Sequence, residues 1–243
     1  MASPLAQFEI KKIIQLEIFG HDISFTNSSM AMTFTVLAII SFLYLGLRNL
    51  KIIPSKSQTL VESSYEFISS MISDNIGKEG MKYFSFILTL FLFILIGNLL
   101  GMMPYSFTWT SHIIVTFAIA FFIFLAVTFI AIYKHGLIKF LQFFAPAGVP
   151  KPMLILLVPI EIISYLSRPI SLSVRLFANM MAGHTLLKVI GSFVFVLGAN
   201  SFIIGGALPL AFLIALTGLE IVIAFLQAYV FAILTCLYIN DAI

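Results

Sequence analysis

Long apolar runs broken by short polar stretches make up most of this chain. The first run covers residues 30–47 and ends at Arg48; the second covers 83–103 and stops before Pro104 and Tyr105. A third, 111–133, ends at Lys134, His135 and Gly136. Two longer runs follow, at 153–190 and 207–240, joined by a Gly- and Ser-containing stretch at 191–206. A spanning helix needs about 20 mostly apolar residues, so each run predicts a membrane-embedded helix. One segment differs. After Pro54, the residues Val61, Tyr65, Ile68, Ile72 and Ile76 recur at helical spacing, while Glu62, Ser63, Glu66, Ser69, Ser70, Ser73 and Asp74 fill the other face. This pattern predicts an amphipathic helix lying at the membrane surface or packed across it. The expected fold class is therefore an all-α integral membrane protein, with about five membrane-embedded helices and one interfacial helix. It forms a single membrane domain over 1–243.

Composition reinforces the bilayer reading. Of the 243 residues 61% are hydrophobic and 9% charged, against roughly 25% charged in soluble domains. No Asp, Glu, Lys or Arg lies between Lys82 and Lys134, between Lys188 and Glu220, or between Glu220 and Asp241. The single cysteine, Cys236, excludes an internal disulfide and a cysteine metal cluster, and reads as a small packing residue. No cofactor or metal is expected. The net charge of +3 comes from cations scattered among loops, which argues against nucleic acid. Residues 1–28 mix charged and apolar positions without a continuous apolar core, so they read as an outer-side N-terminal segment rather than a cleaved signal. Trp109 reads as an interfacial aromatic.

The cations instead set the topology. With the N-terminus outside, the inner loops hold Arg48, Lys51, Lys56, Lys78, Lys82, Lys134, Lys139 and Lys151. Lys11, Lys12 and Lys188 remain on the outer side. The positive-inside rule then predicts an outer N-terminus and an inner C-terminus. Residues 135–152, with Lys139, Lys151 and three prolines, read as a loop.

Candidate chemistry concentrates in 153–190. Its roughly 38 residues would extend about 57 Å as a helix, against a hydrocarbon core of about 30 Å. It must tilt strongly, bend, or run partly along the membrane, and Pro159 and Pro169 offer places to bend. Glu161, Ser164, Arg168, Ser171, Arg175 and Asn179 are spaced at three or four residues. At about 100° per residue they fall within an arc of roughly 80°. Charges at this depth cost about 2.5–3.5 kcal/mol each on insertion scales, so they must face water or a partner charge. Glu161 and Arg168 could satisfy one another locally. Arg175 has no acid within a turn or two of it, and needs a carboxylate from elsewhere. His184 lies on the opposite side of the same helix. Glu220 stands alone in the last apolar run, with Gln227 two turns on along its face. A histidine titrates near neutral pH by nature, and a buried carboxyl can be brought there by desolvation.

Two stretches carry a specific resemblance. Ser167-Arg-Pro-Ile-Ser-Leu-Ser-Val-Arg-Leu-Phe-Ala-Asn-Met-Met-Ala-Gly-His184 resembles the signature of subunit a of F-type ATP synthases. So does Leu219-Glu-Ile-Val-Ile-Ala-Phe-Leu-Gln-Ala-Tyr-Val-Phe231, with its ending Leu237-Tyr-Ile-Asn-Asp241. Gly183-His184 together with Glu220 is similar to the mitochondrial and alphaproteobacterial form. The resemblance implies a non-catalytic proton-channel subunit of the F0 sector. Its last two helices would form a tilted hairpin, over 153–240, facing a rotating ring of c subunits. It implies the essential arginine at Arg175, with Asn179 and Gln227 as polar positions beside it. His184 and Glu220 would lie on the half-channel from the outer side, and Glu161 near the inner half-channel; Arg168 receives no role. Implied partners are the c-ring, the b subunits and the rest of the F1F0 complex. Protons are the transported ion, and the membrane is the bacterial inner membrane or the mitochondrial one. The alternatives weighed are a secondary ion transporter or antiporter-like pump subunit, which should show internal repeats, and a membrane anchor, which leaves the polar stripe unexplained.

Overall fold

The computed structural model describes residues 9–15, 17, 18, 21, 22, 24–48, 50–103, 106–137, 140, 151–200 and 204–243. Helix α1 is Asn27–Leu47, α2 is Lys56–Asn75, α3 is Phe84–Gly101, α4 is Ile113–His135, α5 is Lys151–Asn200 and α6 is Ile204–Ala242. Short 3-10 turns at Lys78–Tyr83 and Trp109–Ser111 lead into α3 and α4. Before α1, strands β1 (Lys12–Ile14) and β4 (Phe25–Thr26) pair antiparallel, as do β2 (Glu17–Ile18) and β3 (His21–Asp22). Among the described residues five helices are long and apolar enough to cross a membrane, as the hydropathy pattern predicts.

Local chemistry sets the helix ends. Thr26 caps α1 by accepting a hydrogen bond from the Ser29 amide, and Ser55 caps α2 by accepting one from the Gln58 amide. Gly136 takes a positive φ of 78° directly after α4, where its amide bonds the Ile132 carbonyl and a side chain would be strained. The sequence places these boundaries within a few residues, with one clear exception. The stretch 191–206, expected to be a connection, is mostly helix: α5 runs unbroken to Asn200 and α6 begins at Ile204. Its Gly191 and Ser192 do not break the helix, because apolar residues at 193–197 continue the run. Of the expected loop 135–152, residues 138, 139 and 141–150 lie outside the described residues. So do Pro104 and Tyr105.

The α5–α6 hairpin organises the molecule. These two helices share the most extensive contact in the structure; α3 packs along α6, and α4 crosses both. The buried row on α6 is Ala224, Ala228, Ala232 and Cys236, one turn apart, and small residues let a neighbouring helix approach closely. Cys236 is fully buried there, in the packing role its size suggests. At 50 residues α5 is about 75 Å long, more than twice the hydrocarbon thickness, so it does not cross upright along its whole length. Pro159 and Pro169 both sit inside it. Helix α2 buries Val61, Ile68, Met71 and Ile72 and packs on α1, α3 and α6, while its acidic residues face outward.

Trp109 departs from expectation. It is 1% exposed rather than displayed at an interface. Its indole packs against Phe93, with ring centroids 4.7 Å apart, and its Nε1 donates to Thr35 Oγ1 at 3.2 Å. A buried indole needs such a partner. It fits because Gly97 has no side chain where the ring presses against α3; a Cβ there would collide with the indole.

Candidate functional site

Helix α5 presents two different faces. Leu172, Leu176, Met180 and His184 form an inward row, each buried and one turn from the next. Ser164, Ser171, Arg175 and Asn179 point away from the bundle and are exposed, while Glu161 and Arg168 are half-buried. The polar stripe legible in the sequence is thus real, and it lies on a side of the hairpin that no other described element covers. Around it are exposed apolar side chains, among them Ile163, Leu166, Ile170 and Val174.

Within the stripe, Arg168 and Arg175 are treated differently. Arg168 Nη1 donates to Asp241 Oδ2 at 3.0 Å. Its guanidinium also stacks over Tyr165 and Tyr238, at 5.3 and 4.9 Å from the ring centroids. The local pairing with Glu161 is therefore not formed, because an acid at the end of α6 reaches Arg168 first. Arg175 makes no hydrogen bond or ion pair among the described residues, as expected of a cation without a nearby acid in sequence. Glu161, Asn179 and Gln227 likewise make no side-chain hydrogen bond among the described residues. Helical rise puts Glu161 about 21 Å, and His184 about 14 Å, along the axis on opposite sides of Arg175.

On the inward face, α5 and α6 bring His184 and Glu220 together. Their exposures are 8% and 5%, and His184 Nδ1 lies 3.3 Å from Glu220 Oε1. The contact is within ion-pair range but is not aligned as a hydrogen bond, and both carboxylate oxygens are buried. Gly183 makes the approach possible: a Cβ there would sit 2.7 Å from Glu220 Oε1. On the far side of the imidazole, Nε2 lies 3.0 Å from Thr108 Oγ1. Thr108 is itself 2% exposed and donates to the Gly101 carbonyl at 3.0 Å. One turn along α6 from Glu220, the Ala224 carbonyl accepts from Asn98 Nδ2 at 3.4 Å, and Asn98 is fully buried. His112, in the turn before α4, stacks on Phe107 at 5.0 Å, and burial holds its pKa below the ordinary histidine value. Among the described residues no group of three or more His, Cys, Asp or Glu could hold a metal ion.

The tie points also fix the hairpin. His184 meets Glu220 at one end and Arg168 meets Asp241 at the other, so α5 and α6 run antiparallel, with Arg175 and Gln227 between the ties. The sequence brings out Arg175, His184, Glu220, Glu161, Asn179 and Gln227, but not Thr108, Asn98 or the glycines beside them. Thr108 lies in a loop without periodicity, and a hydroxyl there carries no signal of its own. Asn98, a lone amide in the apolar run 83–103, is the one that inspection could have flagged.

Residues 29–240 match the family model described as ATP synthase A chain. A Pelagibacter ubique protein called ATP synthase subunit a is 57% identical over 242 residues, covering 99% of this chain and 97% of the relative. A protein of that name from Allorhizobium ampelinum is 56% identical, covering 99% and 96% of the two chains. One from Rhodospirillum rubrum is 54% identical over 243 residues, covering 100% and 99%.

Proposed function

This chain belongs to the ATP synthase A chain family, and on that premise we propose how its residues carry protons through the F0 sector of an F-type ATP synthase. It is a multi-pass membrane subunit of the F1F0 complex, and its part is ion conduction rather than catalysis. The reading of a secondary transporter is set aside by the family.

The observation that carries the mechanism is the placement of Arg175. It is a permanent cation on an uncovered, largely apolar face, with no counter-ion among the described residues of its own chain. The missing carboxylate belongs to the c-ring, which lies against this face. A carboxyl facing lipid must be neutral, because burying the charged form is costly. It ionises where it meets the polar stripe, and Arg175 holds the ionised form. Arginine keeps its proton in such a place, where lysine could lose it. A fixed positive charge also bars protons from passing straight between the two sides. His184 and Glu220 serve the half-channel from the outer side, and Glu161 the inner one. Asn179 and Gln227 keep the space near Arg175 polar. Each proton then crosses only by riding a ring step, driven by about 2.3 kcal/mol per charge per 100 mV plus the pH term.

The b subunits are the other direct partners, the N-terminus lies outside, and the membrane is a bacterial inner membrane. The cation bias of the loops supports that orientation. Replacing Arg175 with alanine in the assembled complex tests the central claim. ATP-driven proton pumping should vanish while the complex still copurifies with the ring. Pumping near the normal rate would defeat the assignment.

A further inference from the structure

The hydrogen bonds around His184 determine which of its nitrogens carries the proton. A threonine hydroxyl has one hydrogen to donate and two lone pairs to accept with. The Thr108 hydrogen goes to the Gly101 carbonyl at 3.0 Å, and that oxygen can only accept. The remaining contact, 3.0 Å to His184 Nε2, must then have nitrogen as donor. Neutral His184 is therefore protonated at Nε2 and bears its lone pair at Nδ1, which is the atom 3.3 Å from Glu220 Oε1.

We propose that Thr108 is a positioning residue for proton transfer: its hydroxyl, locked onto the Gly101 carbonyl, fixes the His184 tautomer so that Nδ1 faces Glu220 as the proton acceptor. This rests on the reading that His184 and Glu220 lie on the proton path. The pair rests 3.3 Å apart and unaligned; once it closes into a hydrogen bond, the transfer is a single step in either direction. The proton on the Glu220 carboxyl moves to Nδ1, leaving a carboxylate beside an imidazolium, and the reverse step restores two neutral groups. Thr108 exchanges no proton; it accepts from Nε2–H throughout. With the opposite tautomer, Nδ1 would present a hydrogen instead and neutral His184 could not take one from Glu220.

The surroundings are built for this. A Cβ on Gly101 would lie 2.7 Å from Thr108 Oγ1, and one on Gly183 would lie 2.7 Å from Glu220 Oε1, so glycine is present where the hydroxyl and the carboxyl each press closest. Ser111 Oγ bonds the Thr108 carbonyl at 2.6 Å and steadies the turn. Among the described residues, charged groups that face the imidazole include Glu220 from α6 and Lys188 one turn along α5; α3, which supplies Gly101, has no charged side chain.

The test compares Thr108→Val, which keeps the shape and removes the hydroxyl, with Thr108→Ser, which keeps the hydroxyl. The readout is proton conduction through the intact complex in vesicles, measured across a pH series. Thr108→Val should conduct about tenfold more slowly, the scale of one lost hydrogen bond, with a displaced pH profile. Thr108→Ser should stay near wild type in both rate and profile. Thr108→Val at the wild-type rate with an unchanged profile would overturn the proposal, as would Thr108→Ser losing as much as Thr108→Val. Should Thr108→Val fail to assemble, Gly101→Ala disturbs the same hydroxyl without removing it. It should show the same slowing and displacement, and normal behaviour there would overturn the proposal. Glu220→Gln in the same vesicles separates the two levels. If it conducts normally, the reading of the path itself fails; if it is impaired while Thr108→Val is normal, only the role of Thr108 fails.

Discussion

Gly183 shows how narrowly single residues are chosen in this protein. On helix propensity alone alanine would be favoured over glycine by about 1 kcal/mol. Its Cβ would nonetheless fall 2.7 Å from the Glu220 carboxylate, on the stretch of backbone that also carries His184. Gly183→Ala should therefore leave assembly intact and slow proton conduction several-fold by pushing the carboxyl away from Nδ1. Normal conduction in that variant, measured in vesicles, would show that the pair tolerates a wider gap. Arg175 is the contrasting case. Its need for a partner was readable in the sequence, because a cation in an apolar helix with no acid nearby must be satisfied from elsewhere, whatever the fold. Thr108 was not readable, since its significance arises from a bond across 76 positions to His184.

At the scale of elements, the α5–α6 hairpin is held by a mostly apolar seam, by the buried His184–Glu220 contact within it, and by the Arg168–Asp241 tie toward the end of α6. The Arg168–Asp241 tie is 22% and 46% exposed at its side chains. Such a pair contributes little, on the order of 0.5–1 kcal/mol once screening is counted. A double-mutant cycle with Arg168→Ala and Asp241→Ala, read by reversible unfolding in detergent, should give a coupling in that range. A coupling of several kcal/mol would mean that the stacking on Tyr165 and Tyr238 binds the clamp far more tightly than its exposure suggests. The helices themselves were legible, because five long apolar runs allow little else. Two features were not. Residues 191–200 extend α5 although they contain glycine and serine, since apolar surroundings favour internal hydrogen bonding over a loop. Trp109 turned inward because Gly97 and Thr35 provide a slot and an acceptor that only packing assembles.

For the whole molecule, asymmetry across the membrane is the organising property. Glu79 pairs with Lys134 at 3.0 Å, which sets the start of the α3 segment beside the end of α4 on the side assigned as inner. The orientation can be checked with single cysteines, because native Cys236 is fully buried and should stay silent. Ile10→Cys should react with an impermeant thiol reagent from the outer side, and Lys51→Cys only from the inner side; the reverse pattern would invert the topology. By itself the sequence determined the membrane class, the number of spans, the polar stripe and the lone arginine, since these follow from hydropathy and helical periodicity, which are local. Tertiary structure alone decided that Arg168 pairs with Asp241, that His184 turns inward to Glu220, and that Thr108 stands behind it. Those contacts join residues 73, 36 and 76 positions apart, and a one-dimensional pattern does not record which helix faces meet.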